Sequence, residues 1–87
     1  MATKAEIDYV AMRWSDAAKF SAKAREIRDI IAWLSDYSRP SENAVKAMEF
    51  EADRLYAVAE TIRRQCQSLA GWQEWSNANI ISGNLFS

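Results

Sequence analysis

The sequence contains no histidine, one cysteine, one proline and two glycines. Each scarcity closes off a class of function. Without histidine there is no Ser-His-Asp or Cys-His catalysis, no His-containing zinc site and no Glu-x-x-His motif of the kind that holds di-iron centres in bundles. A single cysteine, Cys66, builds neither an intrachain disulfide framework nor a Cys-rich metal site. Gly71 and Gly83 stand alone, so no Gly-rich loop exists to cradle a phosphate. With so little Gly and Pro the chain has few places to turn, which suits long helices. Charge of one sign is lacking too. The 11 basic and 12 acidic residues leave a net charge of -1, and no overall field draws the chain to nucleic acid or to an anionic membrane. No window approaches a membrane span, and Met1 to Asp8 holds no apolar run long enough for a signal peptide. The expectation is a cytoplasmic, non-catalytic chain with no cofactor and no metal. Glu49 and Asp53, four apart, are spaced to share a cation, as are many surface carboxylate pairs.

What is present is apolar and periodic. Hydrophobic residues make up 49% of 87, enough for one small domain. Between Val45 and Leu69 the apolar positions are Val45, Met48, Ala52, Leu55, Ala59, Ile62, Cys66 and Leu69. That unbroken 3-4 alternation is the seam of a helix facing a partner helix. Small residues (Val45, Ala52, Ala59, Cys66) alternate with large ones (Met48, Leu55, Ile62, Leu69), a pattern that lets two axes approach closely while the layers stay filled. Cys66 on this seam is expected to be a small buried core residue.

In chain order, Thr3 and Glu6 form a capping box that opens a first helix. This helix is expected over about 3–37. Its seam begins as Ile7, Ala11, Trp14, Ala18, Ser21 and resumes, offset, as Phe20, Ala24, Ile27, Ile31, Leu34. Toward its end Ile27, Ile30, Ile31, Trp33, Leu34 and Tyr37 cover more of the circumference than one partner helix can cover. Ser38 to Asn43, with Pro40, breaks the helix. Either Ser38 or Ser41 caps a second helix over about 41–70, with Gly71 just past its end. A connection this short makes the two helices antiparallel neighbours. Folding at Pro40 brings residues near 25 beside residues near 53, so the basic middle of the first helix (Arg13, Lys19, Lys23, Arg25, Arg28) runs along the acidic start of the second (Glu42, Glu49, Glu51, Asp53).

The fold class expected is therefore all-α. An antiparallel hairpin over 1–71 is followed by an apolar tail over 72–87, in one domain overall. The tail is expected to add one helical turn at Trp72 and Trp75 and then to become irregular, either strapping the apolar end of the hairpin or docking on another chain. Two helices alone bury little surface, so completion as a bundle by self-association, as a homodimer or higher oligomer, is expected. The function expected is a protein-protein interaction module of the adaptor, chaperone or inhibitor type, with Trp33, Tyr37, Trp72, Trp75 and Phe86 as contact anchors.

Two alternatives come from resemblance. The small/large seam resembles that of Rop-like hairpin dimers, which bind RNA. This implies a nucleic-acid-binding dimer that would use Arg13, Lys19, Lys23 and Arg28 against phosphates. Pro40-Ser41-Glu42-Asn43-Ala44 and Asn79-Ile80-Ile81 are similar to the turn and apolar end of type III secretion needle subunits, implying a structural hairpin subunit. The dense Lys/Arg content, four Trp and one Cys depart from that pattern. The Trp-x-Gly bend of the WXG100 class is absent.

Overall fold

A computed structural model describes residues 1–80, and these contain three helices, α1 (Lys4–Tyr37), α2 (Glu42–Gln67) and α3 (Trp72–Asn79). The two long helices pack against each other as an antiparallel hairpin, and α3 packs on both. The molecule measures 55 × 22 × 15 Å. Since a helix with its side chains is about 10–12 Å across, it is little more than one helix thick.

Local chemistry sets the boundaries. At the start of α1, Thr3 Oγ1 accepts from Glu6 N–H at 3.2 Å, and Glu6 Oε1 accepts from Thr3 N–H at 2.9 Å. The pair of bonds satisfies two otherwise orphaned donors. It also holds the Glu6 carboxyl below its ordinary pKa, because the charged form is the better acceptor. At the bend Ser38 closes α1, its N–H donating to Leu34 O at 2.8 Å. Ser41 opens α2, its Oγ accepting from Ala44 N–H at 3.1 Å. The choice between the two serines thus resolves by role.

The seam expected on α2 is the buried one. Ala52, Leu55, Ala59, Ile62 and Cys66 are all buried, while Val45 and Met48 are only half-buried. Ala17 shares a core cluster with Ala59, and Ala24, one heptad on, shares another with Ala52, one heptad back. Alanine meeting alanine lets the axes approach closely, and Leu55 and Ile62 fill the layers between. Cys66 is fully buried in the first cluster, and burial pushes its thiol pKa up. The register expected from charge appears as one cross-helix ion pair, Arg28 to Asp53 at 2.7 Å. The other ion pairs among the described residues, Arg13–Asp16, Lys46–Glu42 and Arg54–Glu51, lie within single helices.

The α1 seam differs from expectation. Val10, Ala17, Ser21 and Ala24 are its buried members, while Ala18 is exposed and Ala11 only half-buried. The inward series is Ile7, Val10, Trp14, Ala17, Ser21, Ala24, which keeps the 3-4 alternation without any offset. Its next heptad position is Arg28, whose guanidinium turns to Asp53 and lies 5.3 Å over the Tyr56 ring. Burial stops there: no residue from Arg25 to Glu51 is buried.

The tail also departs from expectation. α2 ends at Gln67, short of residue 70, and Gly71, in a left-handed conformation (φ 93°), turns the chain into α3. α3 continues through Asn79, where one helical turn was expected. Within the helix Gln73 Nε2 donates to Asn77 Oδ1 at 3.1 Å and Asn79 Nδ2 donates to Trp75 O at 2.8 Å, while Glu74 Oε1 accepts from the Ala2 N–H at 3.3 Å. The helix covers the open end of the hairpin, not the apolar bend end. α2 runs antiparallel to α1 and so finishes beside the start of α1. The short link 68–71 cannot carry α3 back along a helix of about 1.5 Å per residue to the bend, and the rest of the expected strap, 81–87, lies outside the described residues.

Candidate protein interaction surface

Five aromatic anchors were expected, and the structure divides them. Trp72 and Trp75 belong to the molecule's own packing. Their rings lie 5.4 and 5.2 Å from Trp14 and 5.8 Å from each other. Trp75 is only 8% exposed, so the expectation that it is presented to solvent is corrected. Arg63 adds its guanidinium 5.6 Å over the Trp14 ring. This cluster fixes α3 to the hairpin. Phe86 lies outside the described residues.

Trp33 and Tyr37 stand apart, at the bend end. They are 59% and 75% exposed, and their rings touch each other at 5.3 Å. They are four residues apart, so one helical turn stacks them on a single face of α1. Ile30 on the same turn is exposed as well, while Ile27, Ile31 and Leu34 are half-buried. The whole bend half, from Arg25 to Glu51, therefore carries large apolar side chains and buries none of them fully. Sequence reasoning did not name Tyr9, Met12 and Phe50, which are also exposed. Their common signal is that each lies off the buried seam of its helix.

The four candidate phosphate contacts do not form one stripe. Arg28 is engaged with Asp53 on one side of the hairpin, beside Ile31, Ala32 and Glu49. Arg13 is paired with Asp16 at 3.2 Å. Lys19 and Lys23 make no ion pair among the described residues. With Arg13 and Asp16 they rim a groove floored by Phe20 and Leu55. An apolar floor under two lysines suits an amphipathic protein surface better than a phosphate backbone, which needs charge alone.

Among the described residues no group of three His, Cys, Asp or Glu side chains is placed to hold a metal ion, and no helix is long and apolar enough to cross a membrane. The chain matches no family model, no curated protein and no solved structure.

Proposed function

We propose that this chain is a non-catalytic protein-protein interaction module that works as a helical oligomer, in the manner of a small adaptor, chaperone or inhibitor, with the bend half of the hairpin as its contact surface. One observation carries the reading: twenty-odd residues of paired helix hold Ile27, Ile30, Ile31, Trp33, Leu34, Tyr37, Val45 and Met48, yet none is buried between Arg25 and Glu51. Large apolar groups gathered at one end and left half-covered are the usual mark of an interface. The radius of gyration, 16.8 Å, supports it. A compact chain of this length has about 12 Å, so much of the surface of each helix lacks a neighbour.

The test is solution mass by sedimentation equilibrium, for the wild type and for Trp33→Ser/Tyr37→Ser. Both residues are exposed, so the variant keeps the helical content of the wild type. The wild type is expected to be a dimer or larger, and the variant to shift toward monomer. A wild type that stays monomeric up to millimolar concentration overturns the reading.

A further inference from the structure

The large exposed apolar residues of α1 past its cap are Tyr9, Met12, Ile30, Trp33 and Tyr37. They are not scattered. Tyr9 and Met12 are three apart, Ile30 and Trp33 are three apart, and Tyr37 follows by four. The positions that continue the same 3-4 alternation between the two groups are 16, 19, 23 and 26, occupied by Asp16, Lys19, Lys23 and Glu26. A second unbroken heptad seam thus runs the length of α1, outside the first. Its ends are apolar and its centre is charged. Each position of this seam lies two residues, about 200°, from a position of the buried seam, so Ile30, Trp33 and Tyr37 occupy the face of α1 turned away from α2.

Of the four charges at the centre, Asp16 pairs with Arg13 at 3.2 Å. Lys23 and Glu26 are three apart on one helix, yet neither makes an ion pair among the described residues, and neither does Lys19. A second copy running antiparallel uses them. In an antiparallel pair each position of one spacing class faces the other class, so with the two-fold axis between Lys23 and Glu26, Lys23 of each copy faces Glu26 of the other. The same register sets Met12 against Tyr37 of the second copy, Asp16 against Trp33, and the Lys19 stem against Ile30, with its ammonium within reach of the neighbouring Trp33 ring. A parallel pairing would instead set Lys23 against Lys23.

We infer that the partner of this surface is a second copy of the chain, docked antiparallel along the outer seam of α1 about a two-fold axis between Lys23 and Glu26. The inference rests on the interaction reading above and names the partner and geometry for its Ile30, Trp33 and Tyr37. Phe50, 72% exposed on α2, is off this seam and remains facing outward in the dimer.

The experiment is a charge exchange followed by sedimentation equilibrium. Lys23→Glu and Glu26→Lys each place like charges across the axis, and each is expected to weaken the dimer about tenfold or more. Mixed one to one, the two variants are expected to form a heterodimer of wild-type affinity, and the double variant Lys23→Glu/Glu26→Lys to recover the homodimer. In a second measurement, Met12→Cys alone is expected not to cross-link on oxidation, since the two sites lie about 38 Å apart along the pair. Met12→Cys with Tyr37→Cys is expected to cross-link. A wild-type dimer unmoved by both charge variants, a mixture that stays monomeric, or self-linking of Met12→Cys overturns the antiparallel seam and leaves the interaction reading standing. A wild type that is monomeric overturns both.

Discussion

Gly71 sits against the peptide bond between Glu6 and Ile7. A Cβ added to it would lie 2.9 Å from the carbonyl carbon of Glu6 and 2.9 Å from the nitrogen of Ile7. The same glycine has φ 93°. Two separate demands, a left-handed backbone and a close approach of two chains, therefore meet at one position. Backbone is rigid, so neither neighbour can give way. Gly71→Ala is expected to cost more than about 1 kcal/mol. The loss should show in thermal melts, and in tryptophan fluorescence that shifts toward the solvent-exposed value as Trp72 and Trp75 leave Trp14.

Ser21 carries a different prediction. It is 8% exposed, and its hydroxyl has no hydrogen-bond partner among the described residues. It holds an inward position between Ala17 and Ala24, where a methyl group fits. An unsatisfied buried hydroxyl costs roughly 1–3 kcal/mol. Ser21→Ala is expected to stabilise the hairpin by about 1 kcal/mol, seen as a raised denaturant midpoint at an unchanged slope. A destabilised Ser21→Ala would show that the hydroxyl is satisfied in solution.

The capping box sets a pH dependence. The folded pKa of Glu6 is depressed by the bond from the Thr3 N–H. A carboxyl with a depressed folded pKa binds its proton more readily in the unfolded chain. Its stabilising contribution is therefore present above the ordinary carboxylate range and is lost as pH falls through the lower folded pKa. Glu6→Gln keeps an acceptor oxygen but cannot titrate. The stability gap between wild type and Glu6→Gln is expected to be wider at pH 7 than at pH 3. Equal gaps at both pH values would remove the charge from the argument.

The hairpin itself was legible because its signals are local or strictly periodic. The Thr3–Glu6 box, the serines around Pro40 and the α2 seam each specify their own structure. The α1 seam was harder for a physical reason. Val10 and Ala11, and likewise Ala17 and Ala18, are adjacent apolar pairs, so a rotation of about 100° exchanges one face for the other with little change in hydrophobicity. Packing against Ala59 decides between them, and that contact is visible only in the fold. α3 was harder still. It depends on Gly71 meeting Glu6 and on three tryptophans meeting from two distant parts of the chain. The anchor residues divided on the same ground: exposure of Trp33 follows from the local excess of apolar side chains, whereas burial of Trp75 follows from a tertiary contact with Trp14.

The contacts of Gly71 on Glu6 and of Trp14 on Trp72 and Trp75 lie at the end of the rod opposite the bend. The bend is the one covalent link between α1 and α2, and the clusters around Ala17, Ala59 and Cys66, with Gly71 seated on Glu6, clasp the same two helices toward the other end. The hairpin is thus a closed ring of mechanical links, one made of peptide and one of side chains. Opening the peptide link between Arg39 and Pro40 would leave two pieces still held by the side-chain clasp. Pulling the clasp apart would leave helices tethered only at their least buried end. The firmest part of this molecule is where its sequence positions are farthest apart.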